Sequence, residues 1–239
     1  MPAAKPTVPS VWARQRRQRE QPALSQDRIV AEAVRLLDEE GLDALSMRGL
    51  GTRLGAGATS LYRHVANKDE LIELVVDEIY GELRVPDADP ATWRAAVTEC
   101  AQSLRAMILR HPWSATVLGQ VGLAELGPNL IDRSERMLAV LHAAGFAPGT
   151  ADLALNTVLA YTMGTAISEA AYLSMLARSG QTEDQWADDL RATTEQAIEG
   201  HPRMQEGYAA LHEQDPRQIR EDNFTYGLEC VLDGLQARL

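Results

Sequence analysis

Between Leu54 and Leu71 the chain reads LGAGATSLYRHVANKDEL, and the spacer Gly55-Ala56-Gly57-Ala58 within it constrains the fold more than any other stretch. Two glycines in four residues supply the tight turn that joins two short helices at a steep angle. The flanking residues complete that unit. Leu45 and Leu50 flank Ser46 as a hydrophobic staple around an N-cap, which starts a short helix running to Leu54 and stopping at Gly55. After the turn, Leu61 and Val65 lie one helical turn apart and face the preceding helices. At about 100° per residue, Thr59, Ser60, Arg63 and His64 then project outward, with Tyr62 on the flank.

Helices are expected on both sides of this unit. Ser25 caps a first helix with Asp27 in its first turn, Ile29, Val30, Ala33, Leu36 and Leu37 on one face and Gly41 as the stop. Asn67 and Glu70 pair as a capping box for a helix carrying Leu71, Ile72, Leu74, Val75 and Ile79. Asp87 to Pro90 then breaks the chain. Beyond it, periodicity and punctuation predict helices near 90–110, 112–120, 128–144, 149–178, 183–199 and 219–238, with no strand alternation and no internal repeat. Aromatic residues are only 5% of the chain while alanine and leucine recur throughout, which also favours helix over sheet. The expected class is all-α: a small N-terminal helix-turn-helix domain over 25–84 and a larger helical domain over 85–239. Residues 1–24, with four prolines and the run Arg14, Arg16, Arg17, Arg19, read as a flexible basic arm or as a solubilising tail.

Net charge separates the two parts. The formal charge of -11 argues against nucleic acid for the chain as a whole. Yet residues 1–70 carry 11 Lys and Arg against 9 Asp and Glu, whereas residues 71–239 carry 12 against 25. The cations gather at the glycine-containing turn. A helix presenting hydroxyls, Arg63 and His64 behind such a turn suits the major groove of double-stranded DNA. Tyr62 and Lys68 are placed to hold phosphates, and Arg48 and Ser46, at the start of the preceding helix, face the same side.

These residues carry a family resemblance. ALSMRGLGTRLGAGATSLYRHVANKDELIELV, residues 44–76, resembles the DNA-binding domain of the TetR family of bacterial transcriptional regulators, with Leu61, Tyr62, His64 and Lys68 at its typical positions. NFTYGLECVLDGLQARL, residues 223–239, and the YTMG of 161–164 are similar to the tetracycline-repressor-like subgroup. The resemblance implies that Ser46, Arg48, Thr59, Ser60, Tyr62, His64 and Lys68 contact DNA, with Arg63 beside them. It also implies a homodimer on a palindromic operator, and a small-molecule effector that is not identified. The basic arm resembles extensions that reach an adjacent groove. The pattern departs from the tetracycline repressors near Ala115 to Gly119, which hold no histidine, and at Ser168, where their glutamate is expected. A tetracycline-magnesium ligand is therefore not expected, and neither a metal site nor a cofactor is read from the sequence.

Two further surfaces are needed for such a regulator. For the dimer, Phe224, Leu228, Val231, Leu235 and Leu239 form a heptad-like stripe on the last helix. Ala160, Gly164 and Ser168 form a small-residue stripe on the long one. Packing within one chain is the alternative role for both. For the effector, Trp93, Met107, His111, Trp113, His142, Tyr161 and Glu169 combine aromatic, soft and polar groups suited to a pocket, although each also suits a core, a cap or an ion pair.

Catalysis is not expected: the chain has no GxSxG, no Walker loop and no HExxH, since the His212-Glu213 pair is followed by Pro216 where the second histidine belongs. Two distant cysteines, Cys100 and Cys230, make no CxxC site and point to a reducing compartment, with a disulfide between them left open. No signal-peptide h-region or membrane span is read, so the expected location is the cytoplasm. The competing function is a helical protein that binds DNA without sequence preference or only stores a small molecule.

Overall fold

The computed structural model describes residues 24–118, 127–211 and 214–239. Residues 1–23 of the basic arm, Gly119 and the His212-Glu213 pair lie outside the described residues. The described residues are helical, without strands.

The N-terminal unit follows its caps. Helix α1 (Gln26–Glu40) starts where the Ser25 hydroxyl accepts from the Arg28 amide and stops at Gly41, whose φ of 80° is left-handed. A single 3-10 turn, Leu42–Ala44, leads to α2 (Met47–Arg53), capped by Ser46 through the Gly49 amide at 3.1 Å. Helix α3 is short, Ala58–Leu61, and α4 (Lys68–Tyr80) begins where the Asn67 side chain accepts from the Glu70 amide at 2.8 Å. The Glu70 carboxylate reaches back to the Ala66 amide, one residue before the position a capping box would use.

The larger unit is built on α8 (Pro148–Ser179), 32 residues long, against which α5 (Trp93–Arg110), α6 (Ser114–Val117), α7 (Pro128–Ala144) and α11 (Pro216–Gln236) pack. Helices α9 (Glu183–Ala197) and α10 (Pro202–Leu211) bury no residue fully. Helix α10 is absent from the sequence-based expectation because it is only ten residues long, its one apolar row (Met204, Tyr208, Leu211) stays largely exposed, and Pro202 reads as punctuation in the sequence. Proline also suits a first helical position, where no amide is needed.

In the single chain the last helix takes the alternative role left open for it. Phe224, Leu228 and Leu235 are buried within the chain, packed with Leu155, Val158 and Tyr161 of α8 and Trp93 of α5. Val231 is half-buried and Leu239 half-exposed. The outward face of α11 instead carries Tyr226, Cys230 and Gly234. Close approach of α8 and α11 depends on Gly227, because a Cβ there would collide with the Tyr161 ring, whose hydroxyl donates to the carbonyls of Asn223 and Phe224. Ala160, Gly164 and Ser168 remain exposed on α8. Cys100 is buried, Cys230 is exposed, and both are free, so the disulfide left open above does not form.

Two hydrophobic clusters form among the described residues, and one crosses the expected domain boundary. It joins Ile29, Leu37, Leu61, Leu71 and Ile79 of the N-terminal unit to Leu104, Met107, Ile108 and Trp113 of α5 and the segment after it, and to Ala166 and Ala170 of α8. Two polar joints flank it. Asp38 of α1 takes the Trp113 indole N–H at 2.7 Å, and the same oxygen lies 2.7 Å from His111 Nδ1. Asp77 of α4 accepts from the Asn129 and Leu130 amides and from the Asn129 side chain, capping α7 from outside. Among the described residues no single helix is long and apolar enough to cross a membrane.

Candidate nucleic-acid interface

The turn between α2 and α3 is fixed by backbone contact. Gly55 has a φ of 65°, and the Ala56 amide bonds the Gly51 carbonyl at 2.8 Å. A Cβ at Gly51 would sit 2.9 Å from the Ala56 carbonyl oxygen, so only glycine fits where the two helices meet. Leu61 and Val65 are fully buried, which sets the opposite face of α3 toward solvent. Thr59 and Arg63 are exposed, Tyr62 is 51% exposed, and Ser60 and His64 are half-buried. The expected helix is short: regular α geometry ends at Leu61 and a turn carries the chain on through His64.

Neighbouring elements complete the surface. Arg48 is exposed on the first turn of α2, and Lys68 is exposed on the first turn of α4. Neither these two nor Arg63 makes an ion pair among the described residues. The contrast is Arg53, at the other end of α2, which bonds Glu32, Glu39 and Glu40 at 2.8, 2.6 and 2.9 Å. Its hydrogen bonds to Glu32 and Glu39 hold its pKa above the ordinary arginine value. Arg53 thus fastens α2 to α1, while Arg48, Arg63 and Lys68 keep their charge available to an anionic partner. The Ser46 hydroxyl is engaged as a cap.

The residues expected to form one effector pocket do not meet. Trp93 and Met107 are core residues in different clusters. His111 is buried between Asp38 and Glu82, its Nε2 lying 3.1 Å from the Glu82 carboxylate. Trp113 belongs to the Asp38 joint, Tyr161 is held by the α11 carbonyls, and His142 is exposed in the last turn of α7. Only Glu169 lines the cavity on the α8 and α11 side, about 510 Å³ in volume, which is also walled by Gly164, Ser168, Tyr172, Glu183, Ile219 and Arg220. A second cavity of about 650 Å³ lies between α1 and the α6 and α8 region, lined by Asp38, Trp113 and Arg178 among others.

Glu169 is part of a chain of charges that the sequence did not reveal, because its members come from four helices. Arg105 of α5 donates to Glu169 at 2.7 and 3.1 Å and to Glu221 at 2.6 Å. Arg220 donates to Glu169 at 3.1 Å and to Glu183. Burial works against the Arg105 charge, but the two glutamates outweigh it and raise its pKa. Burial, and then Glu183, raises the Tyr172 phenol above its ordinary value.

Comparison with known proteins agrees over both units. Residues 29–75 match the model for bacterial regulatory proteins of the tetR family, and residues 85–239 match the tetracyclin repressor-like C-terminal domain. An HTH-type transcriptional regulator of Saccharopolyspora erythraea is 42% identical over 204 residues, covering 84% of this chain and 80% of its own length. The HTH-type transcriptional repressor DrrR1 of Streptomyces coeruleorubidus is 34% identical, covering 90% and 78%. Among solved structures, the Streptomyces coelicolor TetR family protein ActR in complex with actinorhodin superposes with a TM-score of 0.73 at 33% identity, over 90% of this chain and 98% of that one. BioQ with its double-stranded DNA operator gives 0.61 at 25% identity, over 89% and 98%.

Proposed function

This chain belongs to the tetR family of bacterial regulatory proteins, and from that premise we propose that it is a homodimeric repressor which leaves a palindromic operator when a small molecule binds its C-terminal domain. The observation that carries the DNA half is the exposed surface of Arg48, Thr59, Tyr62, Arg63 and Lys68 around a backbone-fixed turn. In this assignment Arg63 and Thr59 read base edges, with Ser60 and His64 beside them. Arg48, Tyr62, Lys68 and the α2 terminus at Ser46 hold phosphates. Residues 25–84 form the reading unit and 85–239 the regulatory unit. One short helix buries too little to select a site alone, so two copies bind half-sites about one helical turn, roughly 34 Å, apart.

Repression is supported by the repressor names among the relatives, and release by a small molecule is supported by the ActR complex. The mechanism is a shift between two conformations: a ligand that prefers the one with displaced α3 helices lowers operator affinity by its affinity ratio for the two. A hundredfold loss requires a coupling of about 2.7 kcal/mol. The chain acts by binding, without catalysing a reaction.

Genomic fragments selected by the purified protein at about 150 mM salt test this, because a counterion-driven binder loses much of its affinity there. One enriched palindrome, lost in Tyr62→Ala and Arg63→Ala, is the expected result. Enrichment of no sequence would instead favour generic DNA binding.

A further inference from the structure

We propose that the cavity between α8 and α11 binds an uncharged, planar aromatic compound bearing hydroxyl groups, and that this is the effector site of the ligand-responsive regulator proposed above, on which the inference rests. The volume of about 510 Å³ falls in the range that encloses a drug-sized molecule. Phe224, Ile219 and the Tyr172 ring give it apolar walls against which a flat ring can pack.

The charge at its polar wall selects the ligand. Glu169 and Glu183 have side chains only 12% and 10% exposed, and both are already paired with Arg220. Arg105 pairs with Glu169 from behind. Arg105 also pairs with Glu221, and Arg217 lies 3.9 Å from Glu183. Three cations and three anions therefore balance, and a charged ligand would lose its hydration without meeting an unmatched counter-charge. A hydroxyl meets no such penalty. A carboxylate accepts several hydrogen bonds, so Glu169 and Glu183 can each take an O–H while keeping their arginines. The Tyr172 phenol lines the same wall and adds a hydroxyl that can exchange hydrogen bonds with a ligand hydroxyl.

Position gives the cavity its regulatory reach. Its wall includes the ion-pair chain linking α8, α9 and α11 to α5. Helix α5 leads into His111 and Trp113 at the Asp38 joint with the reading unit. Its mouth opens beside Gly164 and Ser168, the exposed stripe expected at the dimer contact, so a second copy seated there would close the site.

The test titrates the full chain, without DNA, with 1,4-dihydroxyanthraquinone and with anthraquinone-2-sulfonate, which keeps the ring but carries a fixed negative charge. The neutral phenol should bind saturably and at least about tenfold more tightly than the sulfonate. Ile219→Trp, which fills the cavity, should weaken it by at least about tenfold, whereas Ser174→Trp, in the second cavity, should leave it unchanged. In the wild-type chain the probe should also slow amide exchange in residues 164–172 and 216–224, a readout that does not depend on any variant folding. No saturable binding, equal binding of the sulfonate, or protection confined to the second cavity would overturn the assignment. Operator selection is scored separately, so failure of this site and failure of the regulator assignment are distinguishable.

Discussion

Replacing Asp38 by alanine should loosen the joint between the reading unit and the regulatory unit by an amount that the structure sets. One carboxylate oxygen takes the Trp113 indole N–H at 2.7 Å and lies 2.7 Å from His111 Nδ1, and both rings are at most 5% exposed. A buried donor left unpaired costs about 1–3 kcal/mol, so two give an upper bracket of about 2–6 kcal/mol. The second cavity is lined by both Asp38 and Trp113, so water can reach the site and replace part of the loss. That places the expected destabilisation at about 2–4 kcal/mol, or roughly 4–16 °C in melting temperature for a chain of this size. Thermal unfolding followed by circular dichroism, at fixed protein concentration because a dimer's melting depends on it, measures the effect. Asp38→Asn retains an acceptor and should lose less. Trp113→Phe on the Asp38→Ala background should cost less than on the wild type, because the indole donor is by then already unpaired. An Asp38→Ala protein within about 0.5 kcal/mol of the wild type would refute the reasoning, since that is the range of an ordinary surface change.

Asp77→Ala removes the carboxylate that caps α7 from α4 and should cost about 0.5–2 kcal/mol, read as a shift in urea midpoint at unchanged slope. An unchanged midpoint would mean that water caps α7 equally well. Gly51→Ala drives a Cβ to 2.9 Å from the rigid Ala56 carbonyl oxygen and should cost about 1–3 kcal/mol. It should abolish operator binding while leaving binding of the neutral anthraquinone probe intact, as titrated on the same preparation. Burial, and then Glu99, pushes the Cys100 thiol up to about 12, whereas Cys230 is exposed. Native protein alkylated at about pH 9 should therefore take up one label, at Cys230, by intact mass. Two labels at that pH would show that the α5 core opens readily.

The N-terminal unit was legible because its signals are local. Ser25, Ser46 and Asn67 each cap a helix within three residues of themselves, and Leu61 and Val65 can only face the core that α1 and α2 supply. The regulatory unit was legible as helices but less so as surfaces. The Phe224, Leu228 and Leu235 stripe has the spacing of an interface, yet spacing does not say which neighbour it meets, and α8 of the same chain reaches it first. The effector candidates are aromatic, soft or polar, and aromatic and soft groups are also what a core uses, so Trp93 and Met107 sit there. Glu169 alone among them lines the α8 and α11 cavity. Its partners Arg105 and Arg220 are 64 and 51 positions away in sequence. No periodicity connects such residues, although a glutamate and an arginine on otherwise apolar helix faces were the available signal.

The hydrophobic cluster that runs from α1 through α4 into α5 and α8 bears on anyone wishing to exchange parts between regulators of this kind. The sequence suggests a seam at residue 84, where one reading head could be spliced to another's sensor. In the folded chain, Leu104, Met107, Ile108 and Trp113 belong to the same packed body as Leu37, Leu71 and Ile79. A hybrid cut at that seam would set a foreign head on a socket shaped for this one, leaving gaps or overlaps in a contact that is otherwise filled. Swaps that carry the socket residues along with the head should stay responsive, whereas swaps that respect only the linear boundary should yield heads that bind DNA but no longer hear the sensor.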